Sequence, residues 1–254
     1  MHTSNTTTQV GREIEPMKNT IYERVMRRLL KESSNTASLA VATREKGQWK
    51  NAVIYDVEAL RPIAREFLQR RAEARNSVVY DIVETAGERA IVGIIGIKPA
   101  AGPCWGAWEV KEAAAPSGPD AARITYGIGY ALADSGILIP DRSNVSQDAQ
   151  DAWMRIFMGQ KRRALPLDNI ASPKTPDPQD DCRLYGRDPS NYPQLQNAYE
   201  SQGWESAELA RLSAAHDAFM SEFPGTKEKA DVLELISRGE DALWTHAYPG
   251  AGPQ

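Results

Sequence analysis

The hydrophobic pattern of the N-terminal third predicts helices and short strands. Apolar residues at helical spacing predict a helix over 19–31 with a basic outer face and a longer one over 58–75. Between them, short apolar runs at 39–41 and 52–57 predict two strands joined by a turn at 45–47. The longer helix carries an apolar stripe, so we expect that face to lie in the core.

The central part of the chain predicts three antiparallel strands. Residues 78–84 alternate between apolar and polar, and residues 90–97 are nearly all apolar, which is typical of a strand covered on both faces. A hairpin turn at 85–88 joins these two strands. After a turn at 99–103, residues 105–111 predict the third strand.

A βα unit follows the third strand. The pattern predicts a loop over 115–121, a helix that begins near Ala122, and a helix end at Gly136. A strand at 137–139 and a helix capped by Ser146 come next. A loop between a strand and a helix directs free backbone N–H groups to the positive end of the helix dipole, which makes an anion site. A plain βα connection is the alternative interpretation of this loop.

The two ends of the chain differ from its centre. Residues 1–16 are rich in Ser, Thr and Asn and predict a disordered tail. The domain predicted over 17–171 ends with a short edge strand at 165–167, and a linker rich in Pro and Asp spans 172–190. Residues 191–254 predict a helical C-terminal extension that docks on the domain through its apolar stripes. Dimer formation and partner binding are the alternatives for this extension.

Composition and charge argue against several classes of function. The 254 residues are 41% apolar and 25% charged with a net charge of −4, so no basic excess predicts nucleic-acid binding. No apolar run approaches membrane-spanning length, and the polar start predicts no signal peptide. The three histidines are scattered, which predicts no metal site. Cys104 and Cys182 do not suggest a disulfide framework, so we expect a reducing, cytoplasmic setting.

The order strand, loop, helix, strand, helix between residues 76 and 182 resembles the second half of the Gcn5-related N-acetyltransferase (GNAT) fold. The local sequence is similar to a phage-encoded branch of that family in five segments: 108–112, 118–119, 138–142, 145–146 and 173–182. The resemblance implies an α+β fold (α/β mixed), with a GNAT-like twisted mixed sheet flanked by helices, plus the helical C-terminal extension. It also implies acetyl-CoA as co-substrate.

In the GNAT family the loop after the strand cradles the pyrophosphate of acetyl-CoA with the pattern Gln/Arg-x-x-Gly-x-Gly/Ala. Here Ser117 stands at the Gln/Arg place, Asp120 at the first Gly place, and Ala122 at the permitted Gly/Ala place. A carboxylate about 5 Å from a phosphate costs roughly 3 kcal/mol at an effective dielectric of about 20. Asp120 can instead cap the helix, and Arg123 can offset part of its charge. The cofactor-binding residues that the resemblance implies are Trp108, Val110, Lys111, Ser117, Gly118, Pro119, Asp120, Ala121, Ala122, Arg123 and Trp153.

Acetyl transfer needs a base that removes a proton from the amine and donors for the developing oxyanion. In the family, the strand before the loop separates from its neighbour and exposes backbone N–H groups that hold the thioester carbonyl and pantetheine. Residues 108–111 have that place here. Glu109 is the predicted base, because alternation places it on the strand face opposite its two neighbours. Glu112 and Asp141 are the alternatives.

The usual acid of the family is a tyrosine on the last shared helix, and Trp153 stands at that place here. An indole has no titratable proton to give, so the resemblance implies a transferase without its usual acid. Tyr126 and Tyr130, on the helix after the loop, are substitutes, although helical spacing also predicts packing roles for both. The candidate catalytic residues are therefore Glu109, Asp141 and Tyr126.

The resemblance leaves two functions in view. The first is an acetyl-CoA-dependent N-acetyltransferase that acts on an amine of a protein or a small molecule, with a host protein as the target for a phage-encoded chain. The second is a GNAT-shaped protein that binds a host enzyme and inhibits or redirects it. Neither uses nucleic acid, a membrane or a metal. Both are expected in the cytoplasm, of the host for a phage protein, and a homodimer stays an open alternative.

Overall fold

The computed structural model describes most of the chain from Leu39 onward. The described residues are 39–73, 82–83, 90–115, 119–158, 164–166, 176–177, 181–182 and 191–247. The predicted tail at 1–16, the predicted helix at 19–31 and the predicted hairpin at 85–88 lie outside them.

Within these residues, seven strands form one mixed sheet. They are β1 (Leu39–Lys46), β2 (Trp49–Asp56), β3 (Ile91–Pro99), β4 (Trp108–Ala114), β5 (Ile137–Pro140), β6 (Ala164–Pro166) and β7 (Asn197–Glu200). Their order across the sheet is β1-β2-β3-β4-β5-β7-β6. The strands β4 and β5 are parallel, and the other neighbouring pairs are antiparallel. The mixed α+β class that the sequence predicts is confirmed.

Five long helices in the described part of the chain cover the sheet. They are α1 (Val57–Glu73), α2 (Pro119–Leu132), α3 (Gln147–Met158), α4 (Trp204–Ser221) and α5 (Thr226–Ala247). Helices α1 and α5 and the C-terminal half of α4 pack on one side, which we call face one. Helices α2 and α3 and the N-terminal half of α4 pack on the other side, face two. Helix α4 also lies against β1, the outermost strand, so the C-terminal helices dock on the sheet.

Alternation along the strands divides the apolar core between the two faces. On β2, Val53 and Tyr55 belong to the core of face one, while Ala52 and Ile54 belong to the core of face two. A third, smaller cluster lies beside β4, β5 and β7. Its buried members are Ala100, Cys104, Ala107, Ile139, Cys182 and Ala198.

Strand β4 begins later than the sequence pattern predicts. The predicted strand starts at Trp105, but Gly102–Cys104 forms a 3-10 turn and Gly106 has a φ of 99°. A positive φ interrupts the extended backbone, and glycine adopts it without a steric penalty. The strand therefore starts at Trp108.

Two further predictions about secondary structure are wrong. Ile82 and Val83 are helical, so the predicted strand at 78–84 is wrong at these two positions, and its other residues lie outside the described part. Asn197–Glu200, which we expected to be helical, is β7 and pairs with β5 and β6. A short apolar run fits a strand or a helix, and partners far away in the chain decide between them.

Gly93 allows β3 and α2 to approach each other closely. A Cβ atom at Gly93 would overlap with Thr125 Oγ1 and would lie 3.2 Å from Thr125 Cβ. Thr125 is fully buried and its hydroxyl donates to Ala121 O at 2.8 Å, so the side chain has little room to move. We expect Gly93→Ala to lower the free energy of unfolding, measured in urea, by about 1–3 kcal/mol. Adding Thr125→Ala is the matched control, because it removes the overlap. A single variant as stable as the wild type would contradict this close packing.

Candidate functional site

The ladder of the parallel pair β4–β5 stops before β4 ends. Trp108, Glu109 and Val110 of β4 stand opposite residues 138–140 of β5. Within the described residues, the ladder between these strands stops there, while β4 itself continues to Ala114. Ligands of sheets with parallel strands bind outside the carboxyl ends of those strands, and this is where the ladder stops.

A β-bulge lies at the same point of β4. On the other side of β4, Ile97 of β3 pairs with Val110, but the next β3 residue, Gly96, pairs with Glu112. Lys111 is therefore an extra residue on β4 and has no pairing partner on β3. A bulge bends its strand and redirects the side chains next to it, and here it comes directly after the last β4 residue that pairs with β5.

The N-termini of two helices point to this edge. Helix α2 follows β4 and helix α3 follows β5, and a helix that follows a parallel strand begins near the carboxyl end of that strand. Helix α2 begins at Pro119 instead of near Ala122, so the loop is shorter than predicted; proline suits a first helical position because its missing N–H is not needed there. The predicted cap of α3 is confirmed, since Ser146 Oγ accepts the N–H of Ala149 at 3.3 Å. Both helix dipoles thus favour an anion at this edge.

Lys111 and Asp141 form an ion pair at the ends of the two strands. The Nζ of Lys111 contacts the Asp141 carboxylate and lies 3.3 Å from Ser143 Oγ. Asp141 Oδ1 also accepts the backbone N–H of Ser143 at 2.7 Å. Burial alone raises the pKa of Asp141, but the hydrogen bonds and the positive charge of Lys111 outweigh it and lower the pKa below its usual value. Asp141 is therefore a stable carboxylate, which makes it a poor base.

Glu109 lies one position before the last paired residue of β4. Its neighbours Trp108 and Val110 pack in the core of face two, and the Glu109 side chain is on the opposite side, as the alternation predicts. The carboxylate is buried, with Oε2 3.4 Å from Lys111 Nζ and 4.0 Å from Lys98 Nζ. The buried carboxylate of Glu109 therefore has a lysine on two sides and lies beside the last paired residues of β4 and β5.

Arg142 ties the end of β5 to two other segments, and the sequence pattern did not single it out as a site residue. Its guanidinium donates to Pro140 O at 2.9 Å, to Leu195 O at 2.8 Å and to Cys182 O at 3.4 Å. Burial lowers the pKa of Arg142 to about 10, although Glu109 and neighbouring groups act against this. The charged side chains around this strand end are called the β4–β5 charged cluster below: Lys98, Glu109, Lys111, Asp141 and Arg142.

Cys104 and Cys182 form a disulfide, which corrects the interpretation that the two cysteines do not suggest a disulfide framework. Their Cα atoms are 4.8 Å apart, although 78 positions separate them in the chain. Both lie in the third apolar cluster with Ile139, the β5 residue opposite Glu109. Because the pairing depends on long-range folding, spacing in the sequence carries no signal for it.

Three residues proposed from the resemblance have packing roles in the structure. Trp153 is 1% exposed, stacks on Tyr199 with ring centroids 5.2 Å apart, and meets Tyr126 edge-on. Arg123 lies over the ring of Trp204 on α4, 5.3 Å from its centroid. An aromatic stack and a cation–π contact stabilise the docking of α2, α3 and α4. Tyr199 of the stack also interacts with Arg142 of the charged cluster.

The remaining predicted residues are two loop residues, the first turn of α2 and the alternative base. Ser117 and Gly118 lie outside the described residues. The backbone of residues 119–122 forms the first turn of α2, where the first N–H groups have no partner within the helix. Glu112, the alternative base, has a pKa raised by burial, which the charge of Lys46 opposes.

Comparison of the chain with protein-family models, with curated proteins and with solved structures finds no match. In the part of the chain that the structure describes, no helix is both long and apolar enough to cross a membrane. The same part contains no group of three or more His, Cys, Asp or Glu residues placed to hold a metal ion. The case for a function therefore comes from the fold and from the geometry at the end of β4 and β5.

Proposed function

We propose that this protein is an acetyl-CoA-dependent N-acetyltransferase of the GNAT type that acts on an amine of a protein or a small molecule. The observation that carries the proposal is the opening between β4 and β5: their ladder stops at Val110 and Pro140, while β4 continues to Ala114. The resemblance in sequence implies such a separation of the strand before the loop. The resemblance also implies antiparallel strands followed by a βαβ unit.

The open edge of β4 supports binding of an extended polar chain. Beyond Val110, β4 has no β5 partner in the described ladder, and the bulge at Lys111 comes directly after the last paired residue. Peptide N–H groups held on a rigid strand suit the thioester carbonyl and the amides of pantetheine, because they need no reorganisation during the reaction. These donors come from the backbone, so the departures of the loop side chains from the family pattern do not remove them.

The start of α2 supports binding of the diphosphate. The backbone N–H groups of residues 120–122 lie in its first turn and are free of intrahelical partners. Lys111 brings a cation to the same edge of the sheet, although its Nζ is held by Asp141. Arg123, which can offset part of the charge of Asp120, lies over the ring of Trp204.

Glu109 is the base in this proposal. It accepts the proton of the amine, the nitrogen forms the new C–N bond with the acetyl carbon, and the C–S bond breaks as the thiolate leaves. A thiol with a pKa of about 8.5 is a good leaving group, which reduces the need for a dedicated acid. Asp141 is the weaker choice, since its lowered pKa reduces its driving force for taking up a proton.

Acetyl-CoA is expected to raise the melting temperature of the protein. A ligand present at 100 times its dissociation constant adds about 2.7 kcal/mol to the free energy of unfolding. The measurement is thermal denaturation with and without millimolar acetyl-CoA. Asp120→Gly, which removes the carboxylate at the first Gly place, is expected to increase the shift, because a carboxylate near the diphosphate costs up to roughly 3 kcal/mol.

Glu58→Gly is the matched control for that experiment. Glu58 lies in the first turn of α1, so its replacement changes a helix start without changing either helix end at the β4–β5 edge. We expect Glu58→Gly to leave the shift unchanged. If acetyl-CoA stabilises neither the wild type nor Asp120→Gly, the proposed acetyl-CoA site is contradicted.

A second candidate function is capture of a host protein without catalysis, and two observations favour it. Trp153 fills the place of the usual acid and is packed in the core. Trp105 is 68% exposed on the turn before β4, where the disulfide at Cys104 holds the backbone. Rigid, exposed tryptophans are frequent anchors in protein interfaces. In both functions we propose the cytoplasm as the compartment, where thiols act on the Cys104–Cys182 bond to reduce it. Absence of the acetyl-CoA shift would favour the second function.

A further inference from the structure

We infer that the Cys104–Cys182 disulfide controls the β4–β5 charged cluster, which is held in place in the oxidised protein and loosened in the reduced protein. The redox dependence of the charged cluster goes beyond the proposed function. The claim that it also regulates acetyl transfer at this site rests on that function.

The first step is the position of the disulfide. Cys104 ends the 3-10 turn that leads into β4, and Cys182 lies in the apolar cluster beside β5 and β7. Ile139 of β5 belongs to the same cluster and stands opposite Glu109 in the ladder. The bond therefore joins the approach to β4 with the surroundings of β5, next to the point where the two strands separate.

The second step is the contact between Cys182 and Arg142. The carbonyl of Cys182 accepts a hydrogen bond from Arg142 Nη1 at 3.4 Å, and the same guanidinium binds Pro140 O and Leu195 O. Arg142 directly follows Asp141, whose carboxylate holds Lys111. A displacement of Cys182 is thus passed through Arg142 to the ion pair at the strand ends.

The third step is the chemistry of the bond. A dithiol supplies two electrons and two protons, so the S–S bond breaks, Cys104 and Cys182 become thiols, and the dithiol becomes a disulfide. Cys104 is 5% exposed and Cys182 is 1% exposed, so the exchange requires local opening of this region. Once the covalent link is lost, only non-covalent contacts hold the Cys182 carbonyl in place. If this carbonyl moves, the buried guanidinium of Arg142 loses a hydrogen-bond acceptor and shifts to find another.

Hydrogen exchange followed by mass spectrometry tests the inference without any ligand. The oxidised protein is compared with protein kept in dithiothreitol, and the masses report the state of the cysteines. We expect exchange in peptides covering 137–145 and 191–200 to become about tenfold faster or more on reduction. Peptides from α1, which packs in the core of face one and not in the third apolar cluster, are the internal reference for the overall loss of stability. In the reduced protein, residues 137–145 should exchange faster than these α1 peptides.

Two variants make the test specific. Cys104→Ala/Cys182→Ala should behave as the reduced wild type and should no longer respond to dithiothreitol. Arg142→Lys should show fast exchange at 137–145 even when oxidised, because an ammonium cannot bind three separated carbonyls as a guanidinium does. If the double variant does not fold, the reduced wild type still gives the result.

Three outcomes would overturn the inference. They are equal exchange at 137–145 in the two redox states, a bond that dithiothreitol does not open in the folded protein, and a purified protein with two free thiols that do not oxidise. Acetyl-CoA binding is measured on both redox forms in parallel. Faster exchange on reduction with no binding by either form would leave the redox control in place and contradict the proposed function alone.

Discussion

Glu109→Gln is expected to lower the rate of acetyl transfer by roughly 10²–10⁴-fold, the usual contribution of a positioned base. The amide has nearly the same shape as the carboxylate but cannot take the proton of the amine. Binding of acetyl-CoA is expected to stay nearly unchanged, because its proposed donors are backbone groups of β4 and α2. The measurement is release of the CoA thiol in the presence of lysine peptides and small amines, together with the thermal shift by acetyl-CoA.

Two other carboxylates serve as comparisons for this variant. Glu66→Gln changes an exposed residue of α1 that pairs with Arg70 outside the site, and it should leave the rate unchanged. Glu112→Gln tests the alternative base, whose pKa is raised by burial and which lies just beyond the bulge. Loss of rate in Glu112→Gln but not in Glu109→Gln would assign the base to Glu112. Full activity in both variants would remove the proposed mechanism.

Loss of the disulfide is expected to lower the free energy of unfolding by about 4–5 kcal/mol. A bond between residues 78 positions apart closes a long loop, and the loop-entropy model gives this figure for that length. The measurement is urea denaturation of the protein with and without dithiothreitol. A decrease of this size is a large fraction of the stability of an ordinary domain.

The control for the disulfide prediction separates the bond from the packing of the two side chains. Reduced wild type keeps both sulfur atoms in the apolar cluster, whereas Cys104→Ala/Cys182→Ala removes them and adds the effect of a small cavity. We expect the double variant to be somewhat less stable than the reduced wild type and to be insensitive to dithiothreitol. Equal stability of oxidised and reduced wild type would show that the bond does not restrict the unfolded chain.

Local elements with a clear period and a clear end are the part of the fold that sequence analysis predicts well. The helix predicted at 58–75 is α1, Val57–Glu73, and Asp56 caps it by accepting the N–H of Glu58 at 2.9 Å. The predicted turn at 45–47 joins β1 to β2, and Gly47 supplies the positive φ that the turn needs. Each of these elements is specified by residues within a few positions of one another.

Elements and contacts that depend on distant residues could not be predicted in the same way. Strand β7 is only four residues long, and its conformation comes from pairing with β5 and β6. The hydrogen bonds of Arg142 join three segments, two of which lie 40 and 53 positions further along the chain. No local period contains that information.

The sequence by itself determined the α+β class, the helix caps, and the placement of Glu109 on the face opposite Trp108 and Val110. Periods of two and 3.6 residues and the chemistry of helix ends act over short distances, so the printed order of residues is enough for them. Only the tertiary structure decided where the ladder between β4 and β5 stops, that Lys111 bulges, and that Asp141 pairs with Lys111. Strand register and the distances between charges depend on pairing across the whole sheet, which no single stretch of the chain encodes.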